Sequence, residues 1–302
     1  MSTPNTLRVG FVGLGSMGMG MARNILGKGH RLIGVDVRPD AGEKLRQAGG
    51  TFSTSPREAA TDADVLVVMV VNAAQAEEVI FGPSGAIHAL PKGALVMLST
   101  TVPASFARKA GERLAASGHL LLDAPVSGGQ ARAQDGSLTV MASGSAAAFD
   151  RAQPLLDAVA DKVYRLGDTP GNGSLVKTVN QLLAGVHIAA AAEAMALGTK
   201  AGIDPRALFE VISNSAGNSW MFSNRVPHML EGDYTPLSAV DIFVKDLGLV
   251  LDTGHEIRQP LPLAASAHQL FLAASGAGWG KLDDSAVVKV FETMGGFKVS
   301  KA

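Results

Sequence analysis

The chain has 302 residues, no cysteine, and a formal charge of −1 from 26 Lys plus Arg against 27 Asp plus Glu. That length fits two domains with sizeable cores. The charge balance shows no basic stripe, so neither nucleic acid nor an anionic membrane is an expected partner, and disulfides, thiol catalysis and cysteine-ligated metals are excluded in this chain.

The opening MSTPNTLRVGFVGLG carries an apolar run too short and too glycine-broken for a signal peptide. RVGFV (Arg8–Val12) reads as a strand and Met17–Lys28 as a helix. RLIGV (Arg31–Val35) is a second strand, followed by a helix over Ala41–Ala48. VLVVMV (Val65–Val70) and ALVML (Ala94–Leu98) are continuous apolar runs, the pattern of strands buried on both faces. A helix from Pro103 to Ala116, a strand His119–Ala124, the strand-like SLTVMAS, a helix from Ala146 to Val159 and KVYRL complete this half. Strands alternating with helices imply a doubly wound parallel sheet.

GDTPGNG then marks a turn-rich junction, and beyond it only helical patterns occur. Leu182–Leu197 is small and apolar but interrupted by His187 and Glu193, and it reads as a buried helix short of a membrane span. IDPRALFEVI opens with Asp204 as N-cap and Pro205 at the first helical position. Further helices are expected over Val240–His255, Leu263–Ala274 and Asp284–Thr293. The expectation is a dinucleotide-binding domain over residues 1–168 and an all-helical domain over 169–302, in a soluble cytoplasmic protein.

Gly13-x-Gly15-x-x-Gly18 follows a strand and opens a helix. The first glycine permits the turn, the second admits a pyrophosphate, and the third lets helix and strand approach. Gly13, Leu14, Gly15, Ser16, Met17 and Gly18 are therefore candidate cofactor contacts through the amides of the loop and helix N-terminus. Asp36 ends the second strand, where a carboxylate accepts from the adenosine ribose hydroxyls. It would repel a 2′-phosphate, so NAD is expected over NADP, although Arg38 nearby could accept that phosphate.

GNGSLVKTVNQ places Lys177 at the start of the apolar helix, with Asn180 at i+3 and Gln181 at i+4. Burial and the positive helix end disfavour an ammonium, which would make Lys177 a competent general base. On spacing alone, a lysine snorkelling to solvent is the commoner outcome. In DAPVSGG, successive amides of Ser127, Gly128 and Gly129 could chelate a carboxylate. No histidine spacing implies a metal, and no G-x-S-x-G elbow implies a serine hydrolase.

GFVGLGSMG, DAPVSGG, GNGSLVKTVNQ and FVKDLG (Phe243–Gly248), in that order, resemble the β-hydroxyacid dehydrogenase family across essentially the whole chain. The resemblance implies a Rossmann domain, a long interdomain helix and an all-α domain, assembled as a homodimer or homotetramer. It implies Lys177 as the catalytic acid/base and a small carboxylate substrate held by Ser127, Gly128, Gly129 and Asn180. It also places Lys245 near substrate and nicotinamide, and Thr100 near the nicotinamide ribose. Many members carry asparagine where this chain has Gln181.

Residues Asn218–Gly248 resemble the branch that oxidises L-threonate to 2-dehydro-L-erythronate with NAD. Asn214, Asn218, Ser219 and Asp241 are possible polyol contacts by residue type. Tartronate semialdehyde reductase and 3-hydroxyisobutyrate dehydrogenase remain alternatives, as does a catalytically inactive NAD-binding interaction module.

Overall fold

The computed structural model describes residues 6–300. The chain divides into two compact units, Met1–Lys177 and Thr178–Ala302.

In the first unit, β1 (Arg8–Val12), β2 (Arg31–Val35), β3 (Thr51–Ser53), β4 (Val65–Val68), β5 (Leu95–Leu98) and β6 (Leu120–Asp123) form a parallel sheet in the order β3-β2-β1-β4-β5-β6. Its helices are α1 (Ser16–Gly27), α2 (Pro39–Gln47), α3 (Pro56–Ala60), α4 (Ala73–Phe81), α5 (Ala104–Ala116), α6 (Gly129–Asp135) and α7 (Ala146–Val159). Alternate residues of each central strand enter different cores, because strand side chains point to opposite faces. Val65, Val67, Leu95 and Met97 pack with Met21 and Ile25 of α1 and Phe149 and Leu155 of α7. Leu66, Val68, Val96 and Leu98 pack with Ile80 of α4 and Ala107 and Leu114 of α5. This double burial is why those strands read as unbroken apolar runs.

The last strands depart from the expected single sheet. β7 (Val126–Ser127), β8 (Leu138–Ala142) and β9 (Ala160–Arg165) form a separate three-stranded sheet in which β7 runs antiparallel to β8 and β9 parallel to it. Leu138, Val140 and Ala142 still enter the core beneath α1 and α7. The alternating burial of β8 is that of a sheet with one covered face.

The chain then enters α8 (Asn172–Lys200), followed by α9 (Pro205–Ser213), α10 (Trp220–Glu231), α11 (Val240–Glu256), α12 (Pro262–Ala274) and α13 (Val288–Gly295). Asp204 caps α9 by accepting from the amides of Arg206 and Ala207. The expected helix over Asp284–Thr293 is split, with a 3₁₀ turn at Asp284–Val287 before α13. In the second unit, Ile188 and Met195 of α8, Phe222 and Met229 of α10, Phe243 and Leu247 of α11 and Phe271 of α12 share one core. An 18-residue window of α8 reaches a mean hydropathy of 1.5, so the helix is long and apolar enough, by length and composition, to cross a bilayer. The expectation that it falls short is corrected on that count. Its buried Ile188, Ala192 and Met195 identify it as a core helix.

Candidate active site

The glycine loop is built by close approach. Gly13 adopts φ +100°, and a Cβ there would stand 2.1 Å from the Met69 carbonyl oxygen. A Cβ on Gly18 would stand 1.9 Å from the Gly13 oxygen. Protein contacts thus require both glycines. Gly15 differs: a Cβ there meets nothing within 4 Å, so the space beside it is open. Gly15 is also the N-cap of α1 and gives no side-chain hydrogen bond to the helix. Open space at a helix start whose amides lack a side-chain cap fits a pyrophosphate.

Asp36 completes this cradle. Its Oδ2 accepts from the Leu14 amide at 2.8 Å, and its Oδ1 accepts from the Arg38 amide at 2.9 Å and Arg38 Nε at 3.1 Å. Burial pushes its pKa up, but these donors outweigh burial and hold it below the usual carboxylate range. Arg38 also donates to the Leu14 oxygen at 3.0 Å, so the arginine is tied to the carboxylate and the loop together. Thr100 is fully buried; its hydroxyl donates to the Val68 oxygen at 3.2 Å and accepts from the Val70 amide at 3.0 Å. Those bonds fix the chain leaving β4 and occupy the group that the resemblance assigns to the cofactor.

Ser127 ends β7, paired with Thr139. Gly128 and Gly129 follow at φ +133° and +71°, where side chains are disfavoured, and lead into α6. α6 lies directly on the glycine-loop helix. Asn24 of α1 donates to the Ala133 oxygen at 2.8 Å, and a Cβ on Gly20 would stand 2.7 Å from Ala133.

Asp123, which the motif reading left without a role, anchors the start of α8. Its Oδ2 accepts from the Gly171 and Ser174 amides at 2.9 Å each, and its Oδ1 accepts from Ser174 Oγ at 2.6 Å. Ser143 Oγ donates to Asp123 at 3.2 Å and accepts from the Gly173 amide at 3.0 Å. The Gly173 and Ser174 amides, which a helix start leaves without intrahelical partners, are thereby satisfied by buried side chains. Burial raises the Asp123 pKa against the pull of these donors. The available signal was a carboxylate closing an apolar strand just before DAPVSGG turns. Lys177 follows Ser174 by three residues and is only 8 % exposed.

In the second unit, Asn180 Nδ2 donates to Gln181 Oε1 at 3.0 Å, and Gln181 Nε2 donates to Asp246 Oδ2 at 2.6 Å. Lys245 Nζ lies 2.6 Å from Asp246 Oδ1. The polyol candidates are largely engaged within their own unit. Asn214 donates to the Glu210 oxygen, and Asn218 donates to the Ser213 oxygen. Ser219 caps α10, and Asp241 accepts from Ser275 Oγ at 2.6 Å. Phe222 is a core residue, stacked on Phe209, whereas Trp220 is exposed.

Two family models match in succession. Residues 8–167 match the NAD binding domain of 6-phosphogluconate dehydrogenase. Residues 171–291 match the NAD-binding domain of NADP-dependent 3-hydroxyisobutyrate dehydrogenase. The chain belongs to the β-hydroxyacid dehydrogenase family. It is 58 % identical over 283 residues to an L-threonate dehydrogenase of Cupriavidus necator, covering 94 % of this chain and 95 % of the other. An L-threonate dehydrogenase of Haemophilus influenzae is 53 % identical over 284 residues, covering 94 % of each chain. A crystal structure from Salmonella typhimurium, described as 3-hydroxyisobutyrate dehydrogenase, superposes with TM-score 0.88 at 55 % identity, covering 93 % of this chain and 99 % of that one. As a β-hydroxyacid dehydrogenase with an NAD-binding domain, the protein is an NAD-dependent oxidoreductase acting on a hydroxy acid. The reading as an inactive interaction module falls, since these relatives are dehydrogenases.

Proposed function

We propose that this dehydrogenase oxidises L-threonate at C2 to 2-dehydro-L-erythronate, with NAD preferred over NADP. The observation that carries the chemistry is Lys177, an amine buried just beyond the capped start of α8. The substrate rests on the similarity to L-threonate dehydrogenases over nearly the full chain.

When bound, the dinucleotide supplies the hydride acceptor. Gly13–Gly18 hold its pyrophosphate through loop and helix amides. Asp36, kept ionised by Arg38 and the Leu14 amide, takes the ribose hydroxyls and disfavours a 2′-phosphate. The amides of Ser127, Gly128 and Gly129 hold the substrate carboxylate. Lys177 Nζ takes the proton of the hydroxyl being oxidised and returns it in reduction. Asn180 and Lys245 orient the substrate. Thr100 acts through the backbone it braces. The helical unit takes part in a homodimer or homotetramer, and the enzyme works in the cytoplasm. The functional boundary falls at residues 168/169, just before α8.

Purified protein is offered L-threonate, D-threonate, L-erythronate, D-glycerate and 3-hydroxyisobutyrate with NAD or NADP, and reduced cofactor is followed by absorbance. L-Threonate with NAD is expected to give a kcat/KM at least about tenfold above every other pairing. Turnover of 3-hydroxyisobutyrate without L-threonate would instead favour the second reading, which the name of the Salmonella structure supports.

A further inference from the structure

Asp246 is a carboxylate only 2 % exposed, on the helix that also carries Lys245. A buried carboxylate is retained only where partners compensate its lost hydration. Here the partners are Gln181 Nε2 at 2.6 Å on one oxygen and Lys245 Nζ at 2.6 Å on the other. The lysine contact is an ion pair between sequence neighbours, too bent for a directed hydrogen bond. Gln181 is itself buried, and its free oxygen receives Asn180 Nδ2 at 3.0 Å.

The donor and acceptor order along this chain has one solution. A carboxylate offers lone pairs only, so the end of Gln181 that meets it must be the NH₂. The Gln181 oxygen then points away from Asp246, and the Asn180 amide can meet it only with its own NH₂. Asn180 Oδ1 is left as an acceptor directed elsewhere. Without Asp246, either amide could turn over at little cost. A glutamine suits position 181 because asparagine, one methylene shorter, would not span the same gap to Asp246.

We infer that Asp246 is a positioning residue that fixes, through Gln181, which end of the Asn180 amide is presented to the substrate. This rests on the reading of Asn180 as a substrate contact. The presented oxygen accepts a hydrogen bond, so the substrate group it selects is a hydroxyl. A polyhydroxylated acid supplies one there, and a bare methyl group does not.

The test is a reversal of polarity along the chain. Asn180→Asp places a second carboxylate against the Gln181 oxygen. Gln181 cannot turn to meet it without directing that oxygen at Asp246. In an Asp246→Asn background the whole chain can reverse: the amide at 246 donates to Gln181, and Gln181 donates to the carboxylate at 180. kcat, KM for L-threonate, NAD affinity by calorimetry and the thermal midpoint are measured for the wild type, both single variants and the double variant.

The penalty of Asn180→Asp on kcat/KM is expected to be at least about tenfold smaller in the Asp246→Asn background than in the wild type. NAD affinity is expected to stay level across the set. A large and equal penalty in both backgrounds overturns the positioning role while leaving Asn180 as a substrate contact. No penalty on kcat/KM in either background overturns the inference together with that reading of Asn180. If Asn180→Asp folds only when Asp246→Asn accompanies it, the chain is supported by that rescue. If neither folds, Gln181→Met and Asn180→Ala are combined instead; non-additive losses in kcat/KM support the inference and additive losses overturn it.

Discussion

Lys177 sits on a helix rich in alanine and leucine, yet it is buried while the apolar Leu175, Val176 and Val179 beside it are exposed. A lysine fulfilling only a surface role would extend its stem and keep the ammonium in water. Lys177→Ala is expected to lower kcat by about 10²–10⁴. NAD titration should still show binding, and the limb of the pH–rate profile that reports the base should vanish. Unchanged turnover would remove the lysine from the mechanism. His119 is a second buried titratable side chain, 5 % exposed, with no hydrogen-bond partner for its Nδ1 among the described residues. Burial lowers its pKa, and the Lys92 ammonium lowers it further. The folded state therefore binds its proton less readily than the unfolded chain. Its contribution to stability is present above about pH 6.5 and is lost as the pH falls from there towards the depressed folded value. Urea midpoints measured from pH 7 to pH 5 should fall less steeply in His119→Gln than in the wild type; parallel slopes would show that another group governs acid lability.

At the scale of elements, the start of α8 matters most, because it holds Lys177 and depends on one carboxylate. Asp123→Asn keeps the shape but turns one acceptor into a donor facing amides and hydroxyls that also donate. Loss of hydrogen bonds to a charged group is expected to cost about 1.5–3 kcal/mol in unfolding free energy. It should also cut kcat more than NAD affinity, because the cap fixes the turn before Lys177. A variant as stable and as active as the wild type would show the cap to be dispensable. This cap was invisible to pattern reading, since its donors come from residues 143, 171 and 174, distant in sequence from Asp123. The long apolar strands β1, β4 and β5, by contrast, were legible within a residue or two, because burial on both faces leaves a continuous apolar run. Short elements such as β3 and α3 went unread: three and five residues carry no period to count. α10 was hidden by Pro227, which looks like a breaker but lies inside the helix. The glycine loop and Asp36 were readable from spacing because backbone geometry demands those residue types. The Asp246–Gln181 contact was not, because it joins residues 65 apart in sequence.

For the whole molecule, α8 carries apolar side chains beyond those it commits to the core of the second unit. Leu175, Val176, Val179, Leu183 and Leu197 are each more than a third exposed. The spacing of Val176, Val179 and Leu183 places them on one helical stripe. Scattered apolar residues are ordinary on a surface, but a row along one helix marks a contact. The same helix commits Ile188, Ala192 and Met195 to a protein core, which favours another protein surface over lipid. A second copy of the chain is the simplest occupant, since a two-fold axis lets one stripe pair with itself. Light scattering at micromolar concentration should then give the wild type a mass that is a multiple of 31.0 kDa. Leu183→Glu places an unpaired charge in that seam, where burial is strongly unfavourable. It should shift the protein towards the 31.0 kDa species. A wild type already at that mass would leave the stripe to some other partner, and a Leu183→Glu variant that stays assembled would place the interface on another face.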